Sequence, residues 1–293
     1  MNNTFVGYCA IKLVDEHSGV AFSMAVMYPT LVPGKTESLG PYSLDVSIDA
    51  APEEGIFPLI LISHGSGGSP LVYRTLAHYL ASNGFIVGIP EHPFNNRNNN
   101  TLEGTVENLI NRPRHILTAI NWFFNKSKFT RLLKSHTVSI IGHSMGGYTA
   151  LAVAGGVPTS LHHESSDRRT KQVSVAPDCR VKSLVLLAPA SVWFKDEGAL
   201  SGVSVPILML FGEKDQYTPC GYHARIILDG VPDKAKIQYR IVENAGHFSF
   251  LSQFPESMTN AAFPASQDPL GFNRENFLQE LNAEVLNFLL RET

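Results

Sequence analysis

From Phe57 onward, short unbroken apolar runs alternate with segments of helical period, and that alternation limits the folds open to the chain. Phe57-Pro58-Leu59-Ile60-Leu61-Ile62-Ser63 carries no charged side chain, as expected of a strand buried on both faces. Similar runs lie at 85–90, 137–141, 183–187, 205–211 and 236–242. Helices are expected at 71–82, 106–126, 145 to about 154, 221–228 and 274–290, the first closed by Asn83-Gly84, a common helix stop. Buried strands separated by helices imply a mostly parallel, twisted sheet with helices on both faces, an α/β architecture. Two more strands are read at 5–13 and 20–27, followed by a Pro/Gly/Ser loop from Pro29 to about Gly55. Residues 1–55 are assigned to the same sheet, so 1–293 is read as one domain. The interruptions at 95–101, 158–178, 191–202 and 254–271 are loops too small for a core of their own. No large cap domain is expected.

Composition narrows the function classes. Lys and Arg number 23 against 26 Asp and Glu, a formal net charge of −3, whereas a nucleic-acid binder needs a basic surface. No apolar run approaches the roughly 20 residues of a membrane-spanning helix. The start, Met1-Asn2-Asn3-Thr4-Phe5, lacks the basic segment and apolar core of a signal peptide. Cys9, Cys179 and Cys220 are odd in number and far apart, so a disulfide scaffold is excluded and a reducing, cytoplasmic setting is expected.

The strongest local signal is Gly142-His143-Ser144-Met145-Gly146. It fits G-x-S-x-G, directly after an expected buried strand and directly before an expected helix. A serine on so tight a turn needs small neighbours, and its hydroxyl then projects from the sheet edge. Such a nucleophile requires a base and an orienting carboxylate. His247, in Asn244-Ala245-Gly246-His247-Phe248, follows the last expected strand. Asp215 follows the strand before it, with Glu213 and Glu243 as the alternative acids. His143 is expected to point away from the serine. Each of Ser144, Asp215 and His247 lies just past the end of a parallel strand, the edge where open α/β sheets hold ligands.

His64-Gly65-Ser66-Gly67-Gly68 follows another strand. The backbone amides of Ser66 and Met145 are the candidate donors to an oxyanion, and His64 is read as a structural residue bonding the loop. As a phosphate cradle this stretch is poor, because it lacks both the G-K-[ST] ending and the G-x-G-x-x-G spacing. Trp193, Phe94, Tyr217 and Phe248 are candidate substrate-binding residues, with Phe250 a further aromatic near the strand ends. His162-His163-Glu164 has metal-ligand residue types but no paired motif elsewhere, so no metal site is expected. Cys220 is read as a buried structural thiol.

Taken together, His64-Gly65-Ser66-Gly67-Gly68, the Glu91-His92-Pro93 turn and Gly142-His143-Ser144-Met145-Gly146-Gly147 resemble the dienelactone hydrolase-like and platelet-activating-factor acetylhydrolase-like esterases of the α/β-hydrolase superfamily. The similarity runs from Phe57 to the C-terminus. It implies an α/β-hydrolase fold and ester hydrolysis through an acyl-enzyme, with no metal or organic cofactor. Dienelactone hydrolases proper use a cysteine nucleophile where this chain has Ser144, which tilts the reading toward a general carboxylesterase with a small-molecule ester substrate. An amidase or peptidase, a thioesterase and a lactonase would use the same triad. A non-catalytic binding protein on a hydrolase scaffold is disfavoured by the intact set of residues. Self-association is left open. Short acyl groups, acetyl to about hexanoyl, are the expected substrates.

Overall fold

Period-two alternation sorts the apolar runs onto two faces of one ten-stranded sheet. The computed structural model describes residues 4–293; Met1, Asn2 and Asn3, on which the signal-peptide and domain-start readings partly rest, lie outside the described residues. The strands of the first half are β1 (Phe5–Val14), β2 (Ala21–Thr30), β3 (Lys35–Leu39), β4 (Tyr42–Ile48), β5 (Phe57–Ser63) and β6 (Ile86–Pro90). Those of the second half are β7 (Leu133–His143), β8 (Val181–Leu187), β9 (Ile207–Gly212) and β10 (Ile237–Val242). Their spatial order is β10-β9-β8-β7-β5-β6-β2-β1-β4-β3. From β10 to β6 every neighbouring pair is parallel. β2 joins β6 and β1 antiparallel, and β1 joins β4 parallel.

Five helices cover the sheet: α1 (Arg74–Ser82), α2 (Val106–Asn125), α3 (Met145–Val153), α4 (Cys220–Gly230) and α5 (Arg274–Glu292). On one face, Leu59, Leu61, Ile140, Leu184 and Leu186 pack with Leu109, Ile116, Ile120 and Phe123 of α2 and with α3. On the other, Ile60, Ile62, Ile141, Val185 and Leu187 pack with Leu76 and Leu80 of α1 and with Leu281, Val285 and Leu289 of α5. Each such fully buried aliphatic side chain is worth about 1.5–3 kcal/mol relative to exposure.

One stretch departs from expectation. The segment read as a loop from Pro29 to Gly55 contains the hairpin β3–β4, turned at Gly40 with φ of 61°. Its strand β3, KTESL, is polar and largely exposed, as suits a sheet edge where charge deters pairing with other chains. An apolar-run criterion passes over such a strand. The helix read at 71–82 opens instead as a 3-10 turn, Pro70–Tyr73, before α1. Among the described residues no helix is long and apolar enough to cross a membrane.

Between β5 and β7 the strand order reverses direction: β6 lies on one side of β5 and β7 on the other. A crevice at the carboxyl ends of strands belongs at such a switch point. The Gly65–Gly68 loop leaves β5 there, and the Ser144 turn leaves β7 beside it.

Candidate active site

The turn after β7 is too tight for ordinary side chains. Ser144 has φ of 55° and ψ of −120°, a conformation that a non-glycine residue keeps only when its surroundings enforce it. A Cβ on Gly142 would stand 2.2 Å from the Gly146 carbonyl oxygen, and one on Gly146 would stand 1.9 Å from that of Ser63. Both glycines are therefore sterically required. The turn is pinned from the next strand: Ser144 N–H donates to the Leu187 carbonyl at 3.0 Å, and Ala190 N–H donates to the Ser144 carbonyl at 2.9 Å.

Ser144, His247 and Asp215 come together as a hydrogen-bonded chain. Ser144 Oγ lies 2.9 Å from His247 Nε2, and His247 Nδ1 lies 2.8 Å from Asp215 Oδ2. The carboxylate also accepts the N–H groups of Tyr217 and Thr218 at 2.8 and 2.9 Å. The Thr218 hydroxyl lies 2.7 Å from Asp215 Oδ2. Burial pushes the Asp215 pKa up, but the bonds from His247 and Thr218 outweigh it and hold the carboxyl at about 2. Asp215 is thus an anion facing Nδ1, which places the proton on that nitrogen and leaves Nε2 to accept from the serine. The alternative acids are placed elsewhere: Glu213 accepts the Asn244 N–H at 2.8 Å, and Glu243 is exposed.

The glycine loop lies against this chain. A Cβ on Gly65 would be 3.1 Å from Ser144 Cβ. The N–H groups of Ser66 and of Met145, the first residue of α3, meet no protein acceptor among the described residues. The peptide joining Gly65 to Ser66 is held through its carbonyl, which accepts from His64 Nδ1 at 2.7 Å and from Gly68 N–H at 3.1 Å. His64 Nε2 in turn accepts the His92 N–H at 3.0 Å. Those partners fix a neutral imidazole, and burial followed by the charge of Arg112 lowers its pKa to about 3. His64 bonds the loop, and its ring is committed at both nitrogens.

Arg112 was not singled out by sequence. Its side chain is fully buried and every partner is neutral. Nε donates to Thr149 Oγ1 at 3.0 Å, Nη1 to Asn95 Oδ1 at 2.6 Å, and Nη2 to the His64 carbonyl and to Ser63 Oγ at 3.4 Å. Thr149 Oγ1 donates to the Met145 carbonyl at 3.1 Å. One guanidinium therefore ties the root of the glycine loop to the first turn of α3, the two segments that present free amides. Burial lowers its pKa to about 9, so it stays charged at neutral pH. Behind it His92 and His115 are buried, with pKa values pushed down by desolvation, that of His115 to about 3.

His143 points away from the serine, as read from sequence, and into a second bracket. Its Nε2 donates to the His247 carbonyl at 2.9 Å, and its Nδ1 lies 3.0 Å from the Tyr73 hydroxyl, which accepts the Gly65 N–H at 3.3 Å. The carbonyl can only accept, so Nε2–H is the tautomer and Tyr73 donates to Nδ1. Burial followed by the nearby His247 holds the His143 pKa at about 3.

A cavity of about 700 Å³ opens over Ser144. Trp193, Tyr217 and Phe248 line it. Phe94 does not: it sits in the turn after β6 at φ of 60° and is about one-third exposed to solvent, while Arg97 from the same loop reaches the cavity. Phe250 is buried in the core on the α5 side. Glu164 reaches the cavity wall, but its carboxylate accepts Trp193 Nε1–H at 3.0 Å. Among the described residues no group of three His, Cys, Asp or Glu side chains is placed to hold a metal ion. All three cysteines are free, and Cys220, expected to be buried, is only half-buried because it opens α4 at the surface, with its Sγ 2.7 Å from Tyr239 Oη.

The sheet order, the helices on both faces and a strand-end site on the β7–α3 turn define the fold as that of the α/β-hydrolases. Comparison with known proteins agrees. The chlorophyllase family model matches residues 30–165, a little under half of the chain, which takes in Ser66, Arg112 and Ser144 and stops short of Asp215 and His247. The bis(hydroxyethyl) terephthalate hydrolase of Streptomyces coelicolor is 26% identical over 196 residues, 67% of this chain and 52% of that protein. Cutinase 1 of Thermobifida cellulosilytica is 24% identical over 199 residues, 67% of this chain and 63% of that protein. A cutinase of Thermobifida fusca is likewise 24% identical over 199 residues, covering 54% of its length. The matched stretch thus spans about half to three-fifths of these relatives.

Proposed function

We propose that this chain is a serine hydrolase of carboxylic esters working through an acyl-enzyme. The observation that carries the reading is the chain of bonds from Ser144 Oγ to His247 Nε2 at 2.9 Å and from His247 Nδ1 to Asp215 at 2.8 Å, set on a strained turn. Ser144 Oγ attacks the ester carbonyl carbon as its proton passes to His247 Nε2. Asp215 stabilises the imidazolium so formed. The carbonyl oxygen becomes an oxyanion received by the N–H groups of Ser66 and Met145; one such donor is worth about 3–4 kcal/mol of transition-state stabilisation. Collapse breaks the C–O bond to the alcohol, which leaves with the proton from His247. Water, deprotonated by the same imidazole, then releases the acid and restores Ser144.

Esters are favoured over amides and thioesters by the relatives, which are named as cutinases and as a hydrolase of a terephthalate ester. The acyl range proposed is acetyl to about hexanoyl, seated along the apolar wall of Val72, Leu251, Phe254 and Phe263. Each methylene that fits adds about 0.8 kcal/mol until the wall ends. A fluorophosphonate probe tests the chemistry. Labelling that vanishes in Ser144→Ala supports it, and a folded parent that takes no label sinks it. A p-nitrophenyl ester series tests the range, where an optimum at dodecanoyl or beyond overturns the short-acyl reading.

A further inference from the structure

The carboxylate of Asp215 takes four hydrogen bonds, one for each of its lone-pair sites. Oδ1 accepts the N–H groups of Tyr217 and Thr218 at 2.8 and 2.9 Å. Oδ2 accepts Nδ1–H of His247 at 2.8 Å and the hydroxyl of Thr218 at 2.7 Å. Thr218 thus grips both oxygens, its amide on one and its hydroxyl on the other. Two such points fix the plane of the carboxylate as well as its distance from the ring. The residue is 3% exposed, so the grip is made away from solvent, where a hydrogen bond counts most.

The Thr218 hydroxyl has one proton and two acceptors in reach. The Ala188 carbonyl lies at 3.0 Å and Asp215 Oδ2 at 2.7 Å. The shorter, charge-assisted bond holds the proton. His247 Nδ1 is 3.2 Å from the same hydroxyl and carries a proton of its own. Ring and hydroxyl therefore donate side by side to one oxygen. Each donor on Oδ2 draws charge from it, so the hydroxyl weakens the hold of that oxygen on an imidazolium.

We propose that Thr218 is a positioning residue of the triad, whose hydroxyl aligns Asp215 and tempers the basicity that Asp215 confers on His247. This rests on the esterase reading and deepens it. A base that is too strong keeps the proton that the departing alkoxide needs, and one that is too weak fails to take it from Ser144. Of the other three donors to Asp215, two are backbone amides and the third is the base itself. The Thr218 hydroxyl is the member of this set that a side-chain change can remove. The titratable side chains facing the pair are His143 at the end of β7, Tyr217 beside the His247 ring, and His223 on α4. Burial lowers the pKa of His143 to about 3 and that of His223 to about 4. Both rings are therefore neutral over roughly pH 5 to 8, where a triad imidazole changes charge.

Thr218→Val keeps the shape of the side chain and removes the hydroxyl. With p-nitrophenyl butyrate, kcat is expected to fall about tenfold while KM stays within about twofold of the parent. The acid limb of kcat/KM is expected to move up by about half a pH unit to one unit, the worth of one hydrogen bond. Thr218→Ala, which has no methyl to crowd the Ala188 carbonyl, is expected to move the limb the same way. Thr218→Ser restores the hydroxyl and is expected to return the limb to that of the parent. A limb that stays in place or moves down in the valine and alanine variants overturns the proposal, as does a serine variant that behaves like them. A lower melting temperature with kcat and the limb unchanged overturns it too. Titration of the His247 ring protons by NMR, in Ser144→Ala with and without Thr218→Val, separates it from the catalytic reading. A higher midpoint without the hydroxyl, with no ester hydrolysed by the parent, keeps the action of Thr218 on the ring and removes the hydrolase. Turnover by the parent with the same midpoint in both proteins does the reverse.

Discussion

Two buried ionic centres serve the same strand ends, and they are built on opposite plans. Asp215 is an anion whose donors include a titratable ring, His247, in contact with the serine. Arg112 is a cation whose acceptors are a carbonyl, an amide and two hydroxyls, with neutral histidines behind it. The first arrangement lets a proton move, because one partner can change charge while the other stays fixed. The second arrangement holds backbone in place. No carboxylate accompanies the guanidinium, so its bonds are spent on orienting the His64 carbonyl and, through Thr149, that of Met145. The pairing teaches that buried charge in one fold can be used as chemistry in one place and as scaffolding a few residues away.

If that contrast holds, damage to the first centre removes turnover and spares the fold, whereas damage to the second lowers stability and slows turnover far less. Ser144→Ala should lower kcat by about 10⁶-fold with an unchanged melting temperature; activity within tenfold of the parent breaks the assignment at its root. Asp215→Asn should cost about 10⁴-fold in kcat, since the amide favours the wrong imidazole tautomer. Glu243→Gln measured beside it should stay within twofold of the parent, and a reversed pattern would move the acid to the loop after β10. Arg112→Met should lower stability by about 2–4 kcal/mol, as four acceptors lose their donor. It should slow kcat by about 10–100-fold as the amides of Ser66 and Met145 drift. Full activity in a destabilised Arg112→Met protein would separate scaffold from oxyanion site and end the comparison.

Acid should reach the two centres in sequence. His64, His115 and His143 are held near a pKa of 3, and His92 well below its ordinary value, against 6.5 for a free imidazole. Between those values the unfolded chain binds more protons than the fold, so stability falls as pH drops from about 6.5. Each such histidine contributes up to about 1.4 kcal/mol per pH unit. Asp215, held at about 2 against 3.8, gives stability that is full above 3.8 and lost only below it. Unfolding followed by tryptophan fluorescence should therefore be complete before Asp215 protonates. The smallest effect expected is that His115→Gln moves the acid midpoint down by a few tenths of a pH unit, about one histidine's share. A native protein at pH 3.5 would contradict the whole ordering.

Much of this was legible in the chain because it depends on short-range pattern. Unbroken apolar runs marked the parallel strands, and glycines at 142 and 146 marked the turn whose sterics demand them. The Gly-rich loop and the strand-end positions of Asp215 and His247 brought the site residues to one edge. What stayed hidden depends on tertiary neighbours. Strand β3 is polar because it lies at an edge, so it carries no apolar signal. Phe94 is turned outward by a positive φ that its residue type does not announce. Tyr73 and Thr218 matter through contacts that no local pattern encodes. Arg112 did leave a trace: it stands between Leu109 and Ile116 on the helical stripe that α2 buries. A charge on an apolar stripe is a marker worth heeding.

The lock on the Ser144 turn also has a history in time. Two of its three backbone bonds come from Leu187 and Ala190, more than forty positions later in the chain; the third, from Gly147 N–H to the Ser144 carbonyl at 2.8 Å, is local. Until β8 has docked beside β7, only the local Gly147 bond holds the Ser144 turn, and the backbone is free to relax to an ordinary conformation. A long-separated pairing of this kind forms late, because loop closure must precede it. During refolding from denaturant, secondary structure should therefore return before the serine becomes reactive. Pulses of fluorophosphonate given along the refolding time course should show labelling lagging behind the far-ultraviolet circular dichroism signal. Synchronous recovery would mean that the turn is set locally. If the lag is found, partly folded chains carry an unreactive serine, and the nucleophile is assembled only as the sheet closes around it.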